Sequence, residues 1–383
     1  MAAWRCRKEC WRCPSGCARR ASRRIPAEET DLTPERKTRV LIVDDSAIVR
    51  KLLAESLNGE PDLEVVGTAP DPYVARDKIL SLHPDVLTLD IEMPRMDGLT
   101  FLKKLMRFHP MPVVVISSLA QASSRAALEA LQAGAVEVLA KPGGPYSVGE
   151  MKQDLPHKIR AAAQARLART SVLPDAAPRP SAPAVFQAAS RSTIIAIGAS
   201  TGGTEAIRQV LMEMPENSPG IVLVQHIPAV FSTAFANRLN DLCRIQVKEA
   251  AHGDRVQAGQ ALVAPGNFHM TLQKRCGEYR VSIEDGPRVC YQRPSVDVLF
   301  NSVAEAAGAD AIGAILTGMG SDGAQGMLRM KRAGARTVAQ DEASCVVFGM
   351  PREAIRLGGV DHVVSLQRVA SELCALAAPA VRV

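Results

Sequence analysis

Long hydrophobic runs are missing from this chain of 383 residues. Its apolar stretches, such as Ile194–Ile197 and Val113–Ile116, are far too short to span a bilayer. The N-terminus is basic but lacks the apolar core of a secretory signal, so a cytoplasmic location is the expectation. Positive charge is also scarce where a nucleic-acid-binding domain would need it. The net charge of +6 lies in residues 1–39, with eleven Lys/Arg against five Asp/Glu, and the remainder carries 35 of each sign. A folded nucleic-acid surface places its basic residues in the domains themselves. No helix-turn-helix pattern and no repeat of solenoid period is present, so nucleic acid is not an expected partner.

Cysteine is thinly spread outside the first residues. Cys6, Cys10, Cys13 and Cys17 crowd the N-terminus, whereas Cys243, Cys276, Cys290, Cys345 and Cys374 are scattered and read as reduced, mostly buried thiols. Residues 1–38 show no hydrophobic period and read as a tail. Three readings stay open for it: an unstructured extension or misassigned start, a labile zinc site on the four cysteines, or redox chemistry.

What the chain does have is two blocks of alternating strands and helices. Hydrophobic residues make up 47% and charged residues 22%, ordinary for a soluble globular protein. The first block runs from Arg39. Strands are expected at Arg39–Val43, Leu63–Gly67, Val86–Leu89, Val113–Ile116 and Val136–Leu139, with helices between them. Continuous apolar strands in such alternation indicate a doubly wound parallel sheet. A helical stretch near Met151–Ala168 follows, then the Pro/Ala-rich Leu173–Ala189, read as a semi-stiff linker. The second block is again α/β. Strands are expected at Thr193–Ile197, Ile221–Val224, Ala261–Ala264, Ala311–Leu316, Thr337–Ala339 and His362–Val364, and helices after Ser200 and from Ser232, Ser295, Ala324, Pro351 and Leu366. Between Arg244 and Val289, short alternating strands with Gly turns suggest an antiparallel edge or hairpin.

In an open parallel sheet, ligands bind beyond the carboxyl ends of the strands. Asp44, Asp45, Asp90, Ser117 and Lys141 all fall at such ends in the first block. Converging carboxylates require a cation, and a hard ion such as Mg²⁺ suits oxygen ligands. Lys141 offers a positive charge and Ser117 a hydroxyl donor to a phosphoryl group, which leaves Asp90 as its acceptor. Any one of these residues alone would more often be a helix cap, but five in order are not a coincidence of capping. Together with Met93-Pro94, Asp97-Gly98 and Lys141-Pro142, they give this block a resemblance to the response-regulator receiver family. The resemblance implies a flavodoxin-like five-stranded sheet, Mg²⁺ bound by Asp44, Asp45 and Asp90, and phosphorylation of Asp90 by a histidine kinase. It also implies Ser117 and Lys141 as switch residues and a cis bond before Pro142. Val138 stands where many members have an aromatic switch residue.

The second block opens with an apolar strand running into Gly198-Ala199-Ser200-Thr201-Gly202-Gly203. Strand, Gly-rich turn and helix make the setting of a nucleophile elbow, although a turn of this kind also binds phosphate. Serine needs an adjacent base and a group to orient that base. His226 ends the next strand, and Asp322 lies in Leu316–Gly323 at another strand end. A satisfied core histidine and a helix-capping aspartate are the bland alternatives for these two. The chain order Ser–His–Asp differs from that of α/β-hydrolases. With Ala264-Pro265-Gly266, Arg293–Asp297 and Cys345–Pro351, this half is similar to the chemotaxis protein-glutamate methylesterase (CheB) family.

That resemblance implies hydrolysis of glutamate methyl esters on chemoreceptor cytoplasmic helices, with release of methanol, and deamidation of selected receptor glutamines. Ser200 is the implied nucleophile, His226 the base and Asp322 its orienter, with backbone amides near Thr201 and Met319 holding the oxyanion and no cofactor for the ester reaction. The implied partners are a chemotaxis histidine kinase and methylated chemoreceptors, through which alone the protein meets the membrane. The expected division is a tail at 1–38, a receiver at 39–160, a linker at 161–190 and a doubly wound, mostly parallel methylesterase domain at 191–380. Two rivals remain at this stage, a non-enzymatic response regulator and a catalytically silent receptor adaptor.

Overall fold

The computed structural model describes residues 36–118, 121–141, 148–167 and 193–378. The expectations for the four N-terminal cysteines, the bond before Pro142 and the Leu173–Ala189 linker lie outside the described residues. Among the described residues, no helix is long and apolar enough to cross a membrane.

The first block folds as β1 (Thr38–Val43), α1 (Ala47–Asn58), β2 (Leu63–Ala69), α2 (Pro72–Leu82), β3 (Val86–Asp90), α3 (Gly98–Phe108), β4 (Val113–Ser117), α4 (Gln121–Gln132), β5 (Glu137–Ala140) and α5 (Val148–Ala163). Its five strands are parallel in the order β2-β1-β3-β4-β5. Strands β3, β4 and β5 are buried along their whole length, which is why they read as unbroken apolar runs. Helix starts follow local chemistry: Ser46 Oγ accepts from the Val49 amide, and Asp97 Oδ1 from that of Thr100. Leu53, Leu57, Met151, Leu155 and Ile159 fill one face of the sheet, and Ile79, Phe101, Leu102 and Leu105 fill the other.

The second block comprises β6 (Ile194–Ala199), α6 (Gly203–Glu213), β7 (Gly220–Gln225), α7 (Ala229–Leu242), β8 (Gln246–Glu249), β9 (Gln260–Val263), β10 (His269–Arg275), β11 (Glu278–Glu284), α8 (Val296–Ala307), β12 (Ala311–Ile315), α9 (Ala324–Arg332), β13 (Arg336–Gln340), α10 (Met350–Arg356), β14 (His362–Val364) and α11 (Leu366–Ala377). Seven strands form one sheet in the order β14-β13-β12-β6-β7-β9-β8, and each neighbouring pair is parallel.

The expected antiparallel hairpin is present between Arg244 and Val289, but it is not the edge of the main sheet. β8 and β9 run parallel, and the antiparallel pair is a separate ribbon, β10 with β11. A two-residue turn at Cys276 and Gly277, both at positive φ, closes that ribbon as a hairpin turn requires. The thiols differ as well: Cys345 and Cys374 are buried, but Cys276 and Cys290 are exposed.

The chain moves from β6 to β7 on one side and later to β12 on the other, so the switch point of this sheet lies beside β6. In the first sheet it lies between β1 and β3. Those two crevices are where this class of sheet binds ligands. The blocks pack together through α4 and α7, where Arg238 donates to Gln132 Oε1 at 2.6 Å.

Candidate active site

Beyond β1 and β3, the carboxylates of Asp44, Asp45 and Asp90 bring oxygens within 4.8 Å of one another. Asp44 and Asp90 are fully buried. Lys141 Nζ lies 3.1 Å from Asp44 Oδ2 and 2.7 Å from Asp90 Oδ2. Both are ion pairs, and Lys141 is the one cation that faces these two oxygens among the described residues. Burial pushes the Asp90 carboxyl up to about 6, against the pull of Lys141 and with the Asp44 charge adding to the rise. Three converging carboxylates against one ammonium leave an all-oxygen, negatively charged donor set that fits a hard divalent cation such as Mg²⁺. Ser117, at the end of β4, is buried. Val138 is packed in the core of β5.

The second crevice begins at the turn after β6. The Ser200 amide donates to Thr317 O (3.0 Å) and Ser200 O accepts from the Gly203 amide (2.7 Å) and from Gln225 Nε2 (2.9 Å). Helix α6 starts at Gly203, so Ser200 stands just ahead of its first turn. Close approach explains the glycines. A Cβ on Gly318 would lie 2.7 Å from Ser200 Cβ and 2.3 Å from Met350 Sδ, and Gly202 adopts φ 76°. Thr317 Oγ1 donates to Thr201 O at 3.0 Å and accepts from the Val347 amide at 3.0 Å, which ties the turns after β6 and β12 together.

β7 pairs with β6 in register Ala199↔Gln225, which places His226 beside Ser200. His226 Nε2 lies 2.8 Å from Asp322 Oδ2. Asp322 takes three more donors: Ser295 Oγ (2.8 Å) and the amides of Val296 (2.7 Å) and Asp297 (3.0 Å). Burial pushes the Asp322 carboxyl up, but the His226 ring and these amides outweigh it and hold the group below its usual range. An ionised carboxylate only accepts, so Nε2 carries a proton toward Asp322, and in the neutral ring Nδ1 is the nitrogen with the lone pair. Nδ1 is buried without a partner, so the expected link from Ser200 to His226 is not formed in this structure. The amides of Thr201 and Met319 donate to no acceptor among the described residues. Ser200, Thr201, His226, Met319 and Asp322 all line one cavity of about 420 Å³.

Cys290, Asp297 and Asp322 also come within metal-binding reach of one another. The four donors on Asp322 occupy the lone pairs that an ion would need, and burial together with the Asp322 and Asp297 charges pushes the Cys290 thiol up. That grouping is a poor cation site.

Several residues of this crevice carried weak signals in sequence. Gln225 adjoins His226, and Ser295 lies in the quoted segment Arg293–Asp297, where it also caps α8. The residues contributed by the first block carried none. Glu137 Oε1 accepts from Thr201 Oγ1 at 2.6 Å, and its other oxygen pairs with Lys158 at 2.6 Å. Glu150, Asp154, His157, Lys158 and Ala161, all on α5, line the same cavity as Ser200.

Comparison with known proteins assigns a family to each of the two blocks. Residues 40–151 match the response regulator receiver domain and residues 195–373 the CheB methylesterase. The protein-glutamate methylesterase/protein-glutamine glutaminase 2 of Syntrophus aciditrophicus is 58% identical over 88% of this chain and 98% of its own length. A protein of the same description from Anaeromyxobacter dehalogenans, numbered 4, is 55% identical over 90% of this chain and 96% of its own. One from Salmonella typhimurium is 53% identical over 88% and 97%. The chain described here, with its receiver-type sheet and its serine–histidine–aspartate crevice, therefore belongs to the family of CheB-type protein-glutamate methylesterases/protein-glutamine glutaminases.

Proposed function

We propose that this protein hydrolyses glutamate methyl esters on the cytoplasmic helices of chemoreceptors, releasing methanol, and deamidates selected receptor glutamines, under control of receiver phosphorylation. The observation that carries the reading is the buried Asp322–His226 pair with an unused Nδ1, set in one cavity with Ser200. Asp322 fixes the tautomer. His226 Nδ1 then takes the Ser200 proton as Oγ attacks the ester carbon, a use of the two ring nitrogens opposite to that of the familiar triad. The uncommitted amides of Thr201 and Met319 are the candidate donors to the oxyanion. Collapse expels methanol, protonated by His226, and leaves an acyl-Ser200. Water, deprotonated by the same nitrogen, releases the glutamate. No cofactor enters this sequence.

In this reading, residues 39–160 are the receiver, 161–190 a linker, 191–380 the catalytic domain and 1–38 an extension, in a cytoplasmic protein. A histidine kinase supplies the phosphoryl group to Asp90. Asp44, Asp45 and Asp90 would hold Mg²⁺, whose charge, when bound, offsets that of the phosphoryl oxygens. Ser117 and Lys141 meet the new phosphate, and the change reaches the catalytic crevice through the receiver residues that line it. Methanol release from methyl-esterified receptor membranes tests the reading. Release should rise with a small phosphodonor plus Mg²⁺, and Asp90→Asn should abolish that rise. No methanol from the wild-type chain under either condition would overturn the reading.

A further inference from the structure

We propose that Arg288 is a specificity-determining side chain that recognises carboxylates on the substrate helix, and that receiver helix α5 holds it at rest by presenting the same pattern. The proposal rests on the methylesterase reading above. Glu150, Asp154, His157 and Ala161 fall at intervals of four, three and four, with Lys158 next to His157, so they form one face of α5. All five line the cavity that contains Ser200 and His226. Receiver control of the site therefore involves a helix laid along the entrance to the nucleophile.

Arg288 meets that helix. Its Nη1 lies 2.8 Å from Asp154 Oδ1 and its Nη2 3.6 Å from Glu150 Oε1, two carboxylates one turn apart. The Arg288 side chain keeps 31% exposure, so the pair is not locked in the core and can exchange partners. Its backbone is better held: Val289 and Gln292 exchange amide–carbonyl hydrogen bonds of 3.0 and 2.9 Å, closing a tight turn directly after it. Next to it, the Tyr291 ring stands 5.3 Å from that of His157 on the same face of α5.

The substrate of the proposed reaction is also a helix, and each turnover leaves a new carboxylate on it. Once α5 withdraws, Arg288 faces the cavity with a planar fork suited to carboxylates. A helix bearing two acidic residues four apart restores the contacts that α5 made. The contact pattern thus points to an acidic helix as the preferred partner, and to α5 as its internal competitor.

The test uses the full chain with a small phosphodonor and Mg²⁺, and two helical peptides that each carry one glutamyl methyl ester. One peptide has a flanking Glu pair spaced four apart, the other has Gln at those positions. Wild type should favour the acidic peptide by about tenfold in kcat/KM, mainly through KM. Arg288→Gln should bring that ratio close to one, and Arg288→Lys should restore part of it, which a purely structural role would not do. Without phosphodonor, Glu150→Gln with Asp154→Asn should lower KM for the acidic peptide more than for the neutral one. A wild-type ratio of one, or a ratio unchanged in Arg288→Gln, overturns the proposal and leaves the esterase reading standing. No hydrolysis of either peptide by wild type overturns both.

Discussion

Asp90 ends β3 and Asp322 lies in the turn between β12 and α9, each near the switch point of its sheet, and their surroundings are opposite. Asp322 receives four donors and stays ionised in the interior. Asp90 faces another buried carboxylate, has only the Lys141 ammonium and the Glu92 amide as donors among the described residues, and has its carboxyl pushed up to about 6, mainly by burial. Topology chooses the place, and the donor count decides the chemistry. A saturated carboxylate orients a neighbour, whereas an unsaturated one among like charges awaits a cation or a phosphoryl group.

The sharpest break in the comparison is functional. Ser200→Ala should lower ester hydrolysis by roughly 10³-fold or more while leaving the phosphorylation of Asp90 and the melting temperature unchanged. Rate loss together with loss of phosphorylation would mean that the two crevices are not separable in this way. Stability gives the next contrast. Asp322→Ala strands buried donors that cost about 1–3 kcal/mol each, so urea denaturation should show a loss of several kcal/mol. Asp90→Asn removes a charge from a crowded pocket and should stay within about 1 kcal/mol of wild type. Equal losses in the two variants would sink the contrast.

A third carboxylate sits between these extremes. Asp297 Oδ1 accepts from the Gly326 amide at 2.7 Å, tying the start of α8 to α9. Burial raises its carboxyl from 3.8 to about 6, the Gly326 amide opposing and the Asp322 charge adding to the rise. The folded state therefore holds this proton more tightly than the unfolded one. Its contribution to stability is full below about pH 4 and is lost as pH rises through 6, a change of at most ~3 kcal/mol. Asp297→Asn keeps an acceptor and removes the titration. Thermal melts between pH 4 and 7 should be flatter for this variant, and parallel profiles would show that Asp297 does not titrate in that window.

Most of the two sheets was legible because their strands are short apolar runs bounded by Gly, Pro and Asp. β14 falls on His362–Val364 as read. The parallel edge was not legible: β8 and β9 are short and partly polar, and periodicity carries no information on the direction of a partner. Helix α7 begins at Ala229 rather than Ser232, whose hydroxyl lies within hydrogen-bond reach of both Ala229 O and Glu249 Oε1, with one proton to give to either. At the catalytic crevice, Ser200, His226 and Asp322 stood out because each follows an apolar strand. Glu137 and Arg288 did not. Their partners Thr201 and Asp154 lie 64 and 134 residues away, and no local pattern encodes a contact between domains.

Glu137 offers the smallest and most discriminating test of how the two crevices communicate. It opens β5, the strand that leads to Lys141, so only three residues lie between a carboxylate on Thr201 and an ammonium on Asp90. This short, fully buried strand is the direct covalent link between the two crevices, and coupling along it is what the substitution measures. Glu137→Gln keeps an acceptor for Thr201 Oγ1 but loses the charge, and its amide nitrogen cannot accept from Lys158. If the contact restrains the site at rest, basal ester hydrolysis should rise about tenfold, equivalent to ~1.4 kcal/mol, and the rate after phosphodonor treatment should change little. Kinetics of both states in one preparation decide the matter. A fall in the phosphorylated rate would reverse the assignment, because Glu137 would then be holding Thr201 in its working orientation, and the receiver would act by completing the site rather than by covering it.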